Sequence, residues 1–153
     1  MEQDDRIAAI VRRHFLKSGS SAADTGLLEE VSIQTRGFLE SSLKLDHNEF
    51  LLIVSMQSPT CWAALTTRRL IVATSGNLQM VAWENISEVA VDFSKFEYSA
   101  HVQSQLSEVR LISSDGTEVY VKTTPGQPLM GFWNCLLHAK QMGKEEARRR
   151  ASP

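Results

Sequence analysis

The stretch from Trp62 to Val121 is a series of short, closely spaced strand-like segments followed at once by an amphipathic helical pattern. Residues 63–72, 88–93 and 109–121 are rich in the β-branched and aromatic residues that favour strands. Short strands that follow one another without intervening helices predict antiparallel pairing. We therefore expect an α+β domain in which a β-meander is closed at one end by a C-terminal helix.

Hairpin turns and alternation locate the individual strands. Asp115-Gly116 lies between 109–113 and 118–123, and an Asp-Gly pair between apolar segments is a strong hairpin signal. Segment 88–93 alternates apolar and polar residues, as a half-buried antiparallel strand does. The same reasoning predicts further strands at 49–56, 61–66, 69–74 and 78–82.

Two helices are expected before the sheet. The first spans about 4–17, where apolar side chains recur at helical spacing, and 17–21 ends it with serines and a glycine. The second is expected from Asp24 or Thr25 to about Leu43. Because neither polar face is rich in Lys and Arg, we expect residues 1–45 to form a helical hairpin packed on the domain, not on a membrane.

The C-terminal helix has the clearest amphipathic pattern. Pro128 suits the first helical position, and one face carries Leu129, Phe132, Trp133, Leu136 and Leu137. We expect this helix to complete the core of a domain spanning 46–143. Residues 144–153 are polar and are expected to form a flexible tail.

Composition excludes several classes of protein. The chain has 153 residues and a formal net charge of -2, so it lacks the basic surplus of proteins that bind nucleic acid through counterion release. No apolar run approaches the roughly 20 residues of a membrane-spanning helix, and the acidic start is unlike a signal peptide. A soluble, cytoplasmic protein is expected. Cys61 and Cys135 lack C-x-x-C spacing, which favours reduced thiols over a disulfide or metal site.

No pattern typical of an enzyme or a cofactor site is present in the sequence. The four histidines (His14, His47, His101 and His138) lack metal-binding spacing, and there is neither a G-x-S-x-G motif nor a glycine-rich phosphate loop. Asp92 and Glu84 are expected to be solvated carboxylates. The sequence therefore predicts a protein that binds rather than catalyses, with no metal or cofactor.

The order of these segments resembles the pleckstrin-homology-like (PH-like) superfamily, in its bacterial and GRAM-type branch. The resemblance is carried by Leu65–Val72, which matches an L-T-x-x-R-L hairpin pattern, by Trp83–Val89, by Ser114–Gly116 and by Phe132–Leu137. It covers about 49–142. It implies a strongly bent antiparallel barrel of about seven strands, capped by a C-terminal helix and used to recognise phosphoinositides, lipids or proteins.

The resemblance leaves two classes of partner open. Phosphoinositide-binding members carry several basic residues around the first hairpin loop, whereas 56–61 contains no Lys or Arg. The leading hypothesis is therefore a non-enzymatic module that acts by protein–protein contact, as an adaptor, a regulator or an immunity protein bound to a toxin. The alternative is a peripheral membrane or lipid-binding domain. Self-association is compatible with both the protein-binding and the lipid-binding hypothesis.

Five residues are candidates for partner binding. Arg68 and Arg69 lie at a predicted hairpin tip, where they either grip a carboxylate or phosphate or serve only as turn residues. Trp62 follows a turn and is either an exposed anchor or a core residue. Phe96 and Tyr98 lie in 94–107, a connection longer than most hairpin loops, and are predicted to anchor self-association or a partner.

Overall fold

Helices lie at both ends of the chain and strands between them in the computed structural model, which describes residues 2–91 and 107–152. Phe96 and Tyr98 fall outside these ranges, so the interface predicted around them stays a prediction. The described elements, in chain order, are α1 (Glu2–Ser18), β1 (Thr25–Leu27), α2 (Ile33–Ser42), β2 (Leu51–Ser58), β3 (Cys61–Thr66), β4 (Arg69–Thr74), β5 (Asn77–Ala82), a 3-10 turn (Trp83–Asn85), β6 (Ile86–Ala90), β7 (Glu108–Ser113), β8 (Glu118–Lys122) and α3 (Gln127–Ala151).

The strands form two antiparallel sheets. The first has five strands in the order β1-β2-β3-β4-β5, and the second has three in the order β6-β7-β8. The 3-10 turn at Trp83–Asn85 redirects the chain between them, and no ladder joins the two sheets within the described ranges. The α+β class, the antiparallel pairing and the C-terminal helix are confirmed. The closed barrel of about seven strands is not.

The segment after α1 differs from the expected helical hairpin. Thr25–Leu27 is not helical but forms β1, which pairs with β2 along Ile53–Ser55. The second helix is only Ile33–Ser42, and Ser32 caps it by accepting a hydrogen bond from the Thr35 N–H at 3.2 Å. Pairing of Thr25–Leu27 with the distant strand β2 therefore outweighs the helical periodicity of its own sequence.

The polar end of the chain also differs from expectation. Residues 144–151, expected to be flexible, continue α3 to Ala151. Arg150 donates to Glu84 at 2.8 Å, which ties this last part of the helix to the 3-10 turn. Arginines at 148–150 also suit a helix C-terminus, where the macrodipole favours positive charge.

Both faces of the first sheet are covered, which explains why its central strands are apolar throughout. On β3, Ala63 and Leu65 lie in the main core cluster, to which α1, α3 and the second sheet also contribute. Trp62 and Ala64 lie in a second cluster on the opposite face, where Leu39 of α2 covers them. Burial of alternating residues on opposite faces follows from the period of two along a strand.

The N-terminal helix belongs to the same core as the sheets. A Cβ atom on Gly131 of α3 would lie 2.6 Å from the Phe15 ring, so α1 and α3 approach closely only because this residue is glycine. Beside this contact, Asn134 donates to the Ser18 hydroxyl at 3.0 Å. None of the described helices is long and apolar enough to cross a membrane.

Candidate functional site

Both hairpin arginines bind carboxylates of their own chain. Arg69 donates from Nε to Glu49 Oε2 at 3.0 Å and from Nη2 to Glu49 Oε1 at 3.1 Å, which makes the pair bidentate. Arg68 donates from Nη2 to Asp4 Oδ2 at 3.0 Å and to the His47 carbonyl at 3.1 Å. Of the two alternatives open for these residues, both arginines bind carboxylates, but these carboxylates belong to their own domain and not to a partner.

The two acceptor carboxylates are held ionised by these contacts. The pKa of Asp4 is lowered, chiefly by its hydrogen bond with Arg68. Burial alone would raise the pKa of Glu49, but hydrogen bonds from Arg69, Thr66 and the Asp46 N–H outweigh it, and the net pKa is lowered. Most of the N–H donors of the two guanidinium groups already form hydrogen bonds within the chain.

Of the two expectations for Trp62, the structure supports core placement. Its side chain is only 7% exposed and lies among the apolar residues under α2. Trp83 is buried as well, at the turn between the sheets. Neither tryptophan is available as an exposed anchor.

The described thiols and the stacked histidine pair are buried or half-buried. Cys61 and Cys135 are both free, and burial raises the pKa of Cys135 to about 12, too high for a thiolate nucleophile. His14 and His138 stack on each other with ring centroids 4.0 Å apart. No described cluster of three or more His, Cys, Asp or Glu residues could hold a metal ion.

A cleft of about 1080 Å³ lies between the N-terminal half of α1 and the C-terminal half of α3. Ile7, Met142 and Trp83 contribute apolar lining. Four arginines and four carboxylates also line it, and Asp4–Arg68 and Glu84–Arg150 are ion pairs. Because the charges of the lining balance, the cleft favours neither an anionic nor a cationic ligand.

The feature that sequence reasoning missed is the outer edge of β5. This strand pairs with β4 on one side, and no described residue pairs with its other side. Leu78 and Met80 are each 52% exposed, and the strand contains neither a charged residue nor a proline. Edge strands are normally protected by charges, prolines or bulges, because an open edge is a template for pairing with another chain.

The hydrogen-bonding pattern shows which backbone groups of β5 face outward. A two-residue turn with positive φ at Ser75 and Gly76 joins β4 to β5, and just beyond β5 the Trp83 N–H donates to the Arg68 carbonyl at 3.0 Å. Because bonding to one neighbour alternates along an antiparallel strand, the odd-numbered residues face β4. The peptide groups of Leu78 and Met80 therefore point away from the sheet.

The side chains of the edge extend the apolar face that α2 covers. Leu78 is opposite Ala73 and Met80 is opposite Ile71 in the β4–β5 ladder, and Ala73 and Ile71 both belong to the cluster under α2. A cavity of about 620 Å³ runs beside the β4–β5 turn and is lined in part by Leu78. The edge thus combines exposed apolar side chains with backbone groups that no described strand pairs with.

Comparisons of the chain with protein-family models, with curated proteins and with solved structures find no match.

Proposed function

We propose that the chain is a non-enzymatic binding module that acts by protein–protein contact, and that its partner adds an extended segment to the outer edge of β5. The observation that carries this proposal is the exposure of Leu78 and Met80 on an uncharged edge strand. Strand addition uses main-chain hydrogen bonds for affinity and alternate side chains for specificity.

Burial of the two side chains supplies the apolar part of the binding energy. Full burial of a Leu or Met side chain is worth about 1.5–3 kcal/mol, and Leu78 and Met80 each have about half of their surface left to bury. The partner segment that fits is uncharged where it faces β5 and apolar at alternate positions. An adaptor, a regulator or a neutralising partner of another protein could each bind in this way.

A PH-like scaffold remains our proposal for the fold family. It is supported by the order of four paired strands, β2 to β5, then three paired strands, then one long helix. We also propose that the protein is cytoplasmic. The free thiols of Cys61 and Cys135 support this location, because disulfides are rare in the cytoplasm.

The lipid-binding alternative is disfavoured by the engagement of both hairpin arginines. Arg68 and Arg69 would have to leave Asp4 and Glu49 before they could bind headgroup phosphates. We therefore expect no flotation of the protein with neutral or anionic vesicles at low or physiological salt. Salt-sensitive flotation with anionic vesicles that is lost when both arginines are replaced would instead favour the lipid-binding alternative.

The test of protein binding is photocrosslinking in a lysate of the native host, with p-benzoylphenylalanine in place of Leu78. The matched control carries the same group in place of Leu16, a leucine on α1 that is 59% exposed. We expect a discrete crosslinked product from position 78 that is lost when Met80→Lys is added. Equal products from both positions, or none from position 78, would overturn the proposal.

A further inference from the structure

We infer that the occupant of the β5 edge is a second copy of this chain, so that two chains pair antiparallel through β5 and join their five-stranded sheets. This inference rests on the proposed function, because it assigns a partner to the same edge. It is carried by a comparison of the four sheet edges and by the self-complementarity of β5.

Three of the four described edges are covered or charged. At β1, the Ser21 hydroxyl accepts a hydrogen bond from the Leu27 N–H at 3.0 Å. At β8, the Ser55 hydroxyl donates to the Lys122 carbonyl at 2.6 Å. The β6 edge carries Glu88, and like charges placed close together across a self-paired strand are destabilising.

The β5 edge is open among the described residues and carries no charged residue of its own, although the Arg69 guanidinium on β4 donates to the Met80 sulfur at 3.2 Å. Its residues from Asn77 to Ala82 include no ionisable side chain, so pairing with an identical strand opposes no like charges. A surface that pairs with itself about a two-fold axis must be self-complementary in this way. Among the described edges, β5 is therefore the one that fits a second copy.

The outward-facing peptide groups of Leu78 and Met80 limit how two β5 strands can align, because these groups must form the hydrogen bonds between the chains. Pairing about Gln79 places Leu78 of one chain opposite Met80 of the other, and the same contact occurs twice. In this register the peptide groups of Leu78 and Met80, which point away from β4, meet as hydrogen-bonded pairs. Their side chains meet on the face that α2 covers, where they extend the apolar cluster across the two-fold axis.

The interface is small, so the dimer is expected to be weak. One pair of six-residue strands is less than the roughly 800 Å² per partner of a standard stable interface, so the dimer should dissociate on dilution. Self-pairing then shields the edge from pairing with other chains.

The test is the solution mass of the protein, measured by light scattering over a range of concentrations. We expect the wild type to approach the mass of two chains at high concentration and of one chain on dilution. Leu78→Lys and Met80→Glu should each stay at the mass of one chain. A mixture of the two variants should recover the dimer, because the lysine introduced in one chain then faces the glutamate introduced in the other. Leu16→Lys, the control at a similarly exposed leucine, should behave as the wild type does.

Three outcomes would overturn the inference: a wild type with the mass of one chain at every concentration, single variants that remain dimeric, or a mixture that does not recover. The last would exclude the register about Gln79. Circular dichroism of each variant verifies that it is folded. If the wild type is monomeric but Leu78 still crosslinks to a different protein, only the second-copy assignment fails and the proposed function stands.

Discussion

Arg69 and Glu49 form a bidentate ion pair in which the Glu49 side chain is fully buried and the Arg69 side chain is 21% exposed. The pair fastens the start of β4 to the segment before β2. Arg69 also donates to the Lys44 carbonyl at 3.1 Å, which holds the end of the α2 region against the same strand.

Removing the cation of this pair should be costly. Arg69→Met leaves Glu49 charged and buried without its main partner, which typically costs about 3–5 kcal/mol. The control is Arg36→Met, which breaks the exposed i,i+4 pair with Glu40 and should cost under about 0.5 kcal/mol. Urea unfolding monitored by circular dichroism measures both. Equal losses would show that burial does not strengthen the Arg69 pair.

The pair should also contribute to acid sensitivity. The folded-state pKa of Glu49 is lowered from its ordinary value of 4.5, so its contribution to stability is complete above that pH and is lost as the pH falls through the lowered pKa. Glu49→Gln should therefore reduce the difference in unfolding free energy between neutral and strongly acidic solution. A variant as acid-sensitive as the wild type would contradict this assignment.

Gly143 should tolerate no side chain. A Cβ atom there would lie 2.3 Å from the carbonyl of Trp83, and backbone cannot move aside as a flexible side chain can. We expect Gly143→Ala to destabilise the domain by at least roughly 1–3 kcal/mol. Gly37→Ala is the matched control, because nothing lies within 4 Å of its Cβ position in α2 and alanine favours helix, so stability should rise by about 0.5–1 kcal/mol. Thermal unfolding of both variants tests the contrast.

His138 should make stability depend on pH in a higher pH range than Glu49 does. The folded-state pKa of His138 is lowered below 6.5, first by burial and then by the adjacent His14. Unfolded His138 therefore takes up a proton more readily, and stability should be complete above about pH 6.5 and fall as the pH decreases through the lowered value. His138→Phe should flatten this dependence between neutral pH and pH 5. An unchanged profile in His138→Phe would contradict the mechanism.

The Thr25 hydroxyl should be essential to the hydrogen bonds that connect the first sheet to the end of the second. Its hydroxyl accepts from the Thr124 N–H at 2.9 Å and lies 2.8 Å from the Ser55 hydroxyl, which donates in turn to the Lys122 carbonyl. Thr25→Val keeps the shape but leaves buried polar groups unpaired, at a cost of about 1–3 kcal/mol. Thr25→Ser should retain most of the stability in a denaturant titration. Equal losses in the two variants would point to the methyl group instead.

Features determined by adjacent residues could be predicted from the sequence. The β3–β4 hairpin and the turn at Asp115-Gly116 lie at the positions that the sequence predicts. Pro128, expected at the first helical position, is the second residue of α3, which begins at Gln127. Features that depend on distant residues could not. Thr25–Leu27 is a strand because β2 offers it a ladder, although its local pattern is helical.

The candidate site could not be predicted because its contacts, too, join residues that are distant in the sequence. Arg68 and Asp4 are 64 positions apart and Arg69 and Glu49 are 20 apart, so no local spacing indicated that the arginines bind within the chain. The strand at 78–82 was predicted, but its place at the end of a sheet depends on how all the strands are ordered. The exposure of Leu78 and Met80 follows from that order.

Amide hydrogen exchange along β5, measured by NMR on the dilute monomeric protein, tests the open edge most directly. The peptide groups of Gln79 and Val81 bond to β4, whereas those of Leu78 and Met80 face outward. The account predicts strong protection at Gln79 and Val81 and exchange at Leu78 and Met80 close to that of an unstructured peptide. Similar protection at all four amides would mean that the edge is already paired within the chain, and would contradict the account.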